Sequence, residues 1–232
     1  MTESPEAVPL HRHNEPHREI ARRYRHTVAQ RHFRFSIFSS FLFLTLCFGV
    51  NLLAIQYATE SVSNSVTDIV LSNVRVFDVD GLFVYGTFLF IGVVVFILLA
   101  HPKRIPFTLY SLGIFWIVRS GFTSLTHIAP FAQQAAVQFG PTITKAFFGG
   151  DLFFSGHAGT PFLFALIFWR EKGLRMMFLA WAVYFAIIVL LGHLHYSIDV
   201  AAAFFITYTI FCFCEWLLPN ERALFFTEKL PE

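Results

Sequence analysis

Two short polar stretches carry the residue types that can do chemistry on a phosphate. The first is Gly149-Gly150-Asp151-Leu152-Phe153-Phe154-Ser155-Gly156-His157, and the second is Gly192-His193-Leu194-His195-Tyr196-Ser197-Ile198-Asp199. His195 and Asp199 are four apart, so at the start of a helix their side chains share one face. A carboxylate bonded to one imidazole nitrogen fixes the tautomer and raises the basicity of the other, which suits a nucleophile or a general base. The alternative is a structural pair at a wet helix end. Ionisable groups at membrane depth are expensive and usually functional, and a second histidine in the companion stretch favours chemistry. His157 follows Ser155-Gly156, where glycine admits a ligand close to the backbone and amides at a helix start bind phosphate. Ser155, Gly156, His193 and Tyr196 are assigned to substrate binding, and Asp151 is left to cap a helix or to orient a histidine.

The elements that must position these groups are membrane helices. Of 232 residues 56% are hydrophobic and only 14% charged, with 31 Phe, a composition that favours an integral membrane protein over a soluble domain. Residues 158–192 separate the two stretches, about the length of two spans and a turn, so a chain that crosses and returns brings His157 and His195 to the same side. The pattern predicts an all-α polytopic bundle of six transmembrane helices, near 35–57, 82–100, 105–128, 152–169, 174–192 and 195–217. Residues 35–217 then form the catalytic domain, between a basic segment 1–34 and a short tail 218–232. Residues 1–34, His101–Arg104, Arg170–Arg175 and the tail hold nearly all the Lys and Arg, whereas 58–81 and 129–150 hold one each, Arg75 and Lys145. By the positive-inside rule both termini are cytoplasmic, and the two polar stretches face the periplasm, lumen or exterior. The net charge of +2 carries no signal of its own, and no nucleic-acid partner is expected.

The segment 1–34 contains seven Arg and no apolar core, so it is not a cleavable signal peptide. It reads as a solvated topology signal or as a basic amphipathic helix on anionic lipid. Its histidines lack the pairing of a metal site, and Cys47, Cys212 and Cys214 sit in apolar runs as buried thiols. No metal or other cofactor is expected. In the third predicted span Arg119, Ser120, Thr123, Ser124 and His127 recur at spacings of three and four, a polar stripe expected to line one cavity. Arg119 there suits bidentate phosphate binding or a structural pairing, and His127 is open between the same two roles.

Ser155-Gly156-His157 followed by His195-x-x-x-Asp199 resembles the core of the type 2 phosphatidic acid phosphatase superfamily. More narrowly, Gly150–His157 and His193–Val200 resemble the third and fourth motifs of the sphingomyelin synthase branch, and Val118-Arg119-Ser120 falls where that branch has its second. Thr67-Asp68-Ile69 and Phe77–Gly81 are loosely similar to segments before and at its second span. The phosphatase branch's Lys-x6-Arg-Pro motif and its arginine before the second histidine are missing; Val189 stands at the latter position. His127 and Ala158 also differ from the synthase pattern. The resemblance implies a double displacement at phosphorus: His195, supported by Asp199, attacks a head-group phosphate, and His157 protonates the departing diacylglycerol oxygen. It implies a membrane phospholipid donor and a lipid acceptor such as ceramide or diacylglycerol, with hydrolysis as the runner-up. The head group and the oligomeric state, including a homo-oligomer, stay open. A channel would need polar groups through the whole depth, and the second, fifth and sixth spans are unbroken hydrocarbon away from one end.

Overall fold

The computed structural model describes residues 31–135 and 152–227. Asp151, Lys145, Gly149-Gly150 and most of the basic N-terminal segment lie outside the described residues. Within them every regular element is helical: α1 (Arg31–Glu60), α2 (Asp80–Ala100), a 3-10 turn (Pro102–Arg104) running into α3 (Ile105–Leu125), α4 (Gly156–Ile167), α5 (Lys172–Leu191), α6 (Ser197–Leu217) and α7 (Pro219–Phe226). Five of these, α1, α2, α3 with its leading turn, α5 and α6, are long and apolar enough to cross a membrane. By length and composition they mark an integral membrane protein.

The expected span at 152–169 is shorter than its hydrophobicity suggests. Only Gly156–Ile167 is helical, twelve residues, and at about 1.5 Å per residue that is about 18 Å, well short of a ~30 Å hydrocarbon core. The reason is local. Phe153 and Phe154 precede the helix, and their carbonyls accept hydrogen bonds from Thr123 and Arg119 of α3 instead of continuing a helical ladder. The Ser155 side chain then caps the helix by accepting from the Ala158 amide. Hydropathy registers the apolar run and cannot register that its first turn is spent on tertiary contacts.

α4 sits in the middle of the bundle, packed on α5, α6 and α3. Gly159 permits this approach: a Cβ there would fall 2.9 Å from the Phe115 ring of α3 and 2.9 Å from Thr207 Oγ1 of α6. Between apolar helices in a lipid environment, association rests on van der Waals packing of this kind. Phenylalanine supplies much of it. Phe83, Phe90, Phe164, Phe168, Phe178 and Phe185 are all buried and join α2, α4 and α5 through mostly edge-to-face and tilted ring pairs. Other phenylalanines, such as Phe35, Phe88 and Phe205, remain exposed for lipid.

The two ends of α4 differ in chemistry. At its C-terminal end the basic segments converge and are paired. Arg104 contacts Glu171 at 2.7 Å and lies over the Phe168 and Phe225 rings, while Arg222 of α7 donates to the Ile167 carbonyl and to Glu215. Residues after Leu218 thus begin as a helix docked on the bundle, with Phe225 buried. At the N-terminal end of α4 lie the two histidine stretches.

Candidate active site

The start of α6 assembles the nucleophile candidate. Asp199 occupies the first turn, and its Oδ2 accepts from the Tyr196 amide at 2.9 Å. The same oxygen faces His195 Nδ1 at 3.4 Å. One carboxylate therefore stabilises the helix start, where an acidic side chain opposes the positive end of the dipole, and orients the histidine. A carboxylate only accepts, so a proton on Nδ1 would face Asp199 and leave Nε2 with its lone pair. Asp199 is fully buried and His195 is 6% exposed. The 3.4 Å separation is looser than a formed hydrogen bond.

The turn before α6 explains how His195 is aimed. α5 ends with the Leu194 amide bonded to the Val189 carbonyl and the His193 amide to that of Leu190. This is the Schellman pattern, and His193 occupies its left-handed position with φ 54°. Its Nδ1 donates to the Gln133 carbonyl at 2.9 Å and its ring packs on Phe131. His193, expected to bind substrate, is thus placed as the residue that turns the chain. Tyr196, expected in the same role, is 2% exposed and its hydroxyl donates to the Ala129 carbonyl while accepting from the Val66 amide. It ties two connecting segments over the helix start.

The first histidine stretch is joined directly to the second. The Ser155 amide donates to the Asp199 carbonyl at 3.2 Å, which sets the starts of α4 and α6 side by side. His157, in the first turn of α4, packs its ring on Phe83 and Phe185 with centroids 4.4 Å and 5.7 Å away. It lies within electrostatic reach of both His195 and Arg119. Arg119 is 1% exposed, and its Nε donates to the Phe154 carbonyl at 2.8 Å. The structure thus gathers His157, His195, Asp199, Arg119, Ser155 and Gly156 into one site.

The polar stripe of α3 does not form one face toward this site. Residues 119 and 120 differ by about 100° around a helix, and the structure uses both directions. Arg119 and Thr123 hold the entry to α4, whereas Ser120 and Ser124 line a groove against α1 with Tyr57. α3 also ends at Leu125, so His127 lies beyond it, its Nε2 on the Ser124 carbonyl and its ring against Tyr57. His127 is a strut at the α1–α3 corner.

Gly156 marks how closely Arg119 is held. A Cβ there would stand 3.2 Å from Arg119 Nε and 3.3 Å from the Trp116 ring. Gly156→Ala is expected to displace the guanidinium and lower kcat/KM at least about tenfold, since small misplacements of a charge-binding group are amplified in rate. The yield of folded protein should be nearly unchanged, and steady-state kinetics beside size-exclusion profiles check it.

An apolar cavity of about 340 Å³ opens beside His157 and Gly156. It runs between α2, α3 and α4, with Trp116 and Phe185 near the histidine and Leu98 and Leu109 at the far end. From Thr87 to Leu98 its wall follows α2 for about 16 Å.

The described residues thus form a bundle of apolar helices with two histidines, a carboxylate and an arginine gathered at one end. Residues 149–217 match the family model described as PAP2 superfamily C-terminal. No curated protein and no solved structure matches the chain.

Proposed function

We propose that the chain is a phospholipid head-group phosphotransferase acting through a phosphohistidine on the non-cytoplasmic face of the membrane. The observation that carries this reading is the His195–Asp199 pair joined to the start of α4, within reach of His157 and Arg119 and beside an apolar cavity. In the first half-reaction the Nε2 lone pair attacks phosphorus and the bond to the diacylglycerol oxygen breaks. His157, as imidazolium, gives its proton to that oxygen. The substrate phosphate supplies the counter-charge that an imidazolium needs among phenyl rings, and Arg119 with the backbone of Ser155-Gly156 meets the charge that develops on phosphorus. In the second half an acceptor hydroxyl attacks, its proton passes to His157, and the phosphorus–nitrogen bond breaks to restore His195. The cavity beside His157 would hold an acyl chain of donor or acceptor.

Sphingomyelin or ceramide phosphoethanolamine synthesis is the specific form favoured by the motifs around His157 and His195. Hydrolysis, with water as acceptor, is the second reading, because the family match at 149–217 fits a phosphatase as well as a transferase. Mass analysis of products from purified protein given labelled phospholipids, with and without ceramide or diacylglycerol, separates the two. Transfer predicts a new lipid only when acceptor is present. Release of free head-group phosphate at equal rates in both arms would leave hydrolysis.

The sidedness has its own test. A cysteine at exposed Gln134, near the α6 start, should react with an impermeant reagent applied from outside, and one at exposed Lys172 should not. The reverse pattern would put the site on the cytoplasmic face.

A further inference from the structure

The segment between α1 and α2 contains a carboxylate that the reaction as described does not use. Asp68 is 7% exposed and makes four hydrogen bonds. Its Oδ2 accepts from the Ser197 amide at 2.7 Å and from the Ser197 hydroxyl at 2.8 Å. Its Oδ1 accepts from the amides of Val70 at 2.8 Å and Leu71 at 3.1 Å. Ser197 is the first residue of α6, two positions from His195 and two from Asp199. We propose that Asp68 is a positioning residue for the nucleophile, fixing the first turn of α6 through Ser197 and so aiming His195 Nε2 at phosphorus; this rests on the phosphotransfer reading given above.

Three features support the assignment. The start of α6 is held from within by Asp199 on the Tyr196 amide and from across the fold by Asp68 on the next amide, so the two consecutive peptides after His195 are fixed. A carboxylate at that end also opposes the positive end of the α6 dipole. The anchor is itself immobile: Leu71 is buried with Leu152 and Tyr196, the Tyr196 hydroxyl takes the Val66 amide, and Ser63 bonds the His127 carbonyl. Burial acts to raise the Asp68 pKa, but the hydrogen bonds from Leu71, Ser197 and Val70 outweigh it and hold the group below the ordinary aspartate range. It is therefore ionised at neutral pH.

Asparagine cannot substitute here, for a reason specific to this geometry. All four partners use a donor toward Asp68, and three of them are backbone amides that cannot reverse. An amide side chain brings an acceptor at one end and an NH2 at the other, so one side of the clamp must meet a donor with a donor.

Purified Asp68→Asn, Ser197→Ala, the double variant and Asn73→Ala test this with a nitrophenyl phosphodiester as probe. Asn73 is exposed in the same segment, and its side chain donates to the Ile69 carbonyl. For folded Asp68→Asn, kcat is expected to fall about 100-fold with KM little changed, as for a misaligned reacting group. Ser197→Ala should lose less, because its amide still reaches Asp68. The double variant should be no worse than Asp68→Asn alone, since both act on one contact. Asn73→Ala should match the wild type. Hydrogen exchange should show lost protection in Asp68→Asn over residues 197–199. A folded Asp68→Asn whose kcat lies within about twofold of wild type, with only a lower melting temperature, would overturn the proposal and leave the contact as a stabilising tie. If the wild type itself leaves the diester intact, the phosphotransfer reading fails and exchange reads the contact alone. Protection unchanged at 197–199 then overturns even the clamp on the α6 start, and loss confined there leaves the contact as a structural tie, which overturns the positioning of a nucleophile.

Discussion

His195→Ala is expected to remove turnover and the phosphorus adduct together. In the wild type an acid-labile adduct should accumulate on His195 when the acceptor is withheld, because the first half-reaction can run and the second cannot. His157 should carry none. His157→Ala is expected to slow adduct formation most for a poor leaving group such as diacylglycerol, whose oxygen needs a proton as its bond to phosphorus breaks. A nitrophenyl phosphodiester needs no such proton and should recover part of the lost rate. The asymmetry follows from the surroundings. His195 is held by Asp199, which favours a basic, oriented nitrogen, whereas His157 stands among Phe83 and Phe185 with cationic Arg119 in range. Intact-protein mass spectrometry with peptide mapping locates the adduct, and rapid-quench kinetics give its rate. An adduct on His157, or equal losses with both substrates in His157→Ala, would require the roles to be exchanged or the two-step scheme to be abandoned.

Asp199→Asn should lower kcat by about 10³- to 10⁴-fold while the protein stays folded, in line with the loss of a histidine's carboxylate partner elsewhere. The geometry makes this an unusually clean substitution. The oxygen that takes the Tyr196 amide is also the one that faces His195. An amide oxygen in its place keeps the bond from the Tyr196 amide and still faces His195 Nδ1, with the NH2 directed to the position of Oδ1, which has no hydrogen-bond partner among the described residues. What is removed is the charge that stabilises His195 as it becomes cationic on attack. Turnover should fall without a matching change in melting temperature, and an activity assay beside a thermal-unfolding curve reads both. Near-normal turnover would reduce the pair to a structural role.

Asp68 and Tyr196 show why the site was only partly legible in the chain. Asp68 and Ser197 are separated by 129 positions, and the Tyr196 hydroxyl reaches residues 66 and 129. Nothing local in Thr67-Asp68-Ile69 shows that its carboxylate will bind the start of a helix so far away. The stripe on α3 erred in the opposite sense. Its spacing was real, but a period of three to four does not say which neighbour each residue meets, and α1 claimed Ser120, Ser124 and His127 while the α4 entry claimed Arg119 and Thr123. His193 is similar, since nothing local in the sequence shows that it takes the left-handed turn position between two helices.

By itself, the sequence determined that this is a helical membrane protein and that His157, His195 and Asp199 come together at one end of it. Hydrophobic run length is imposed by the bilayer, and a four-residue spacing is imposed by the helix, so both are written locally. Only the tertiary structure decided that the fourth apolar run is a short buried helix, that Arg119 is seated on the Phe154 carbonyl, and that an apolar cavity runs from His157 along α2. Each of these depends on which buried polar group finds its partner and which helix faces leave a gap between them. Those are properties of neighbours brought together by folding, and no window along the chain contains them.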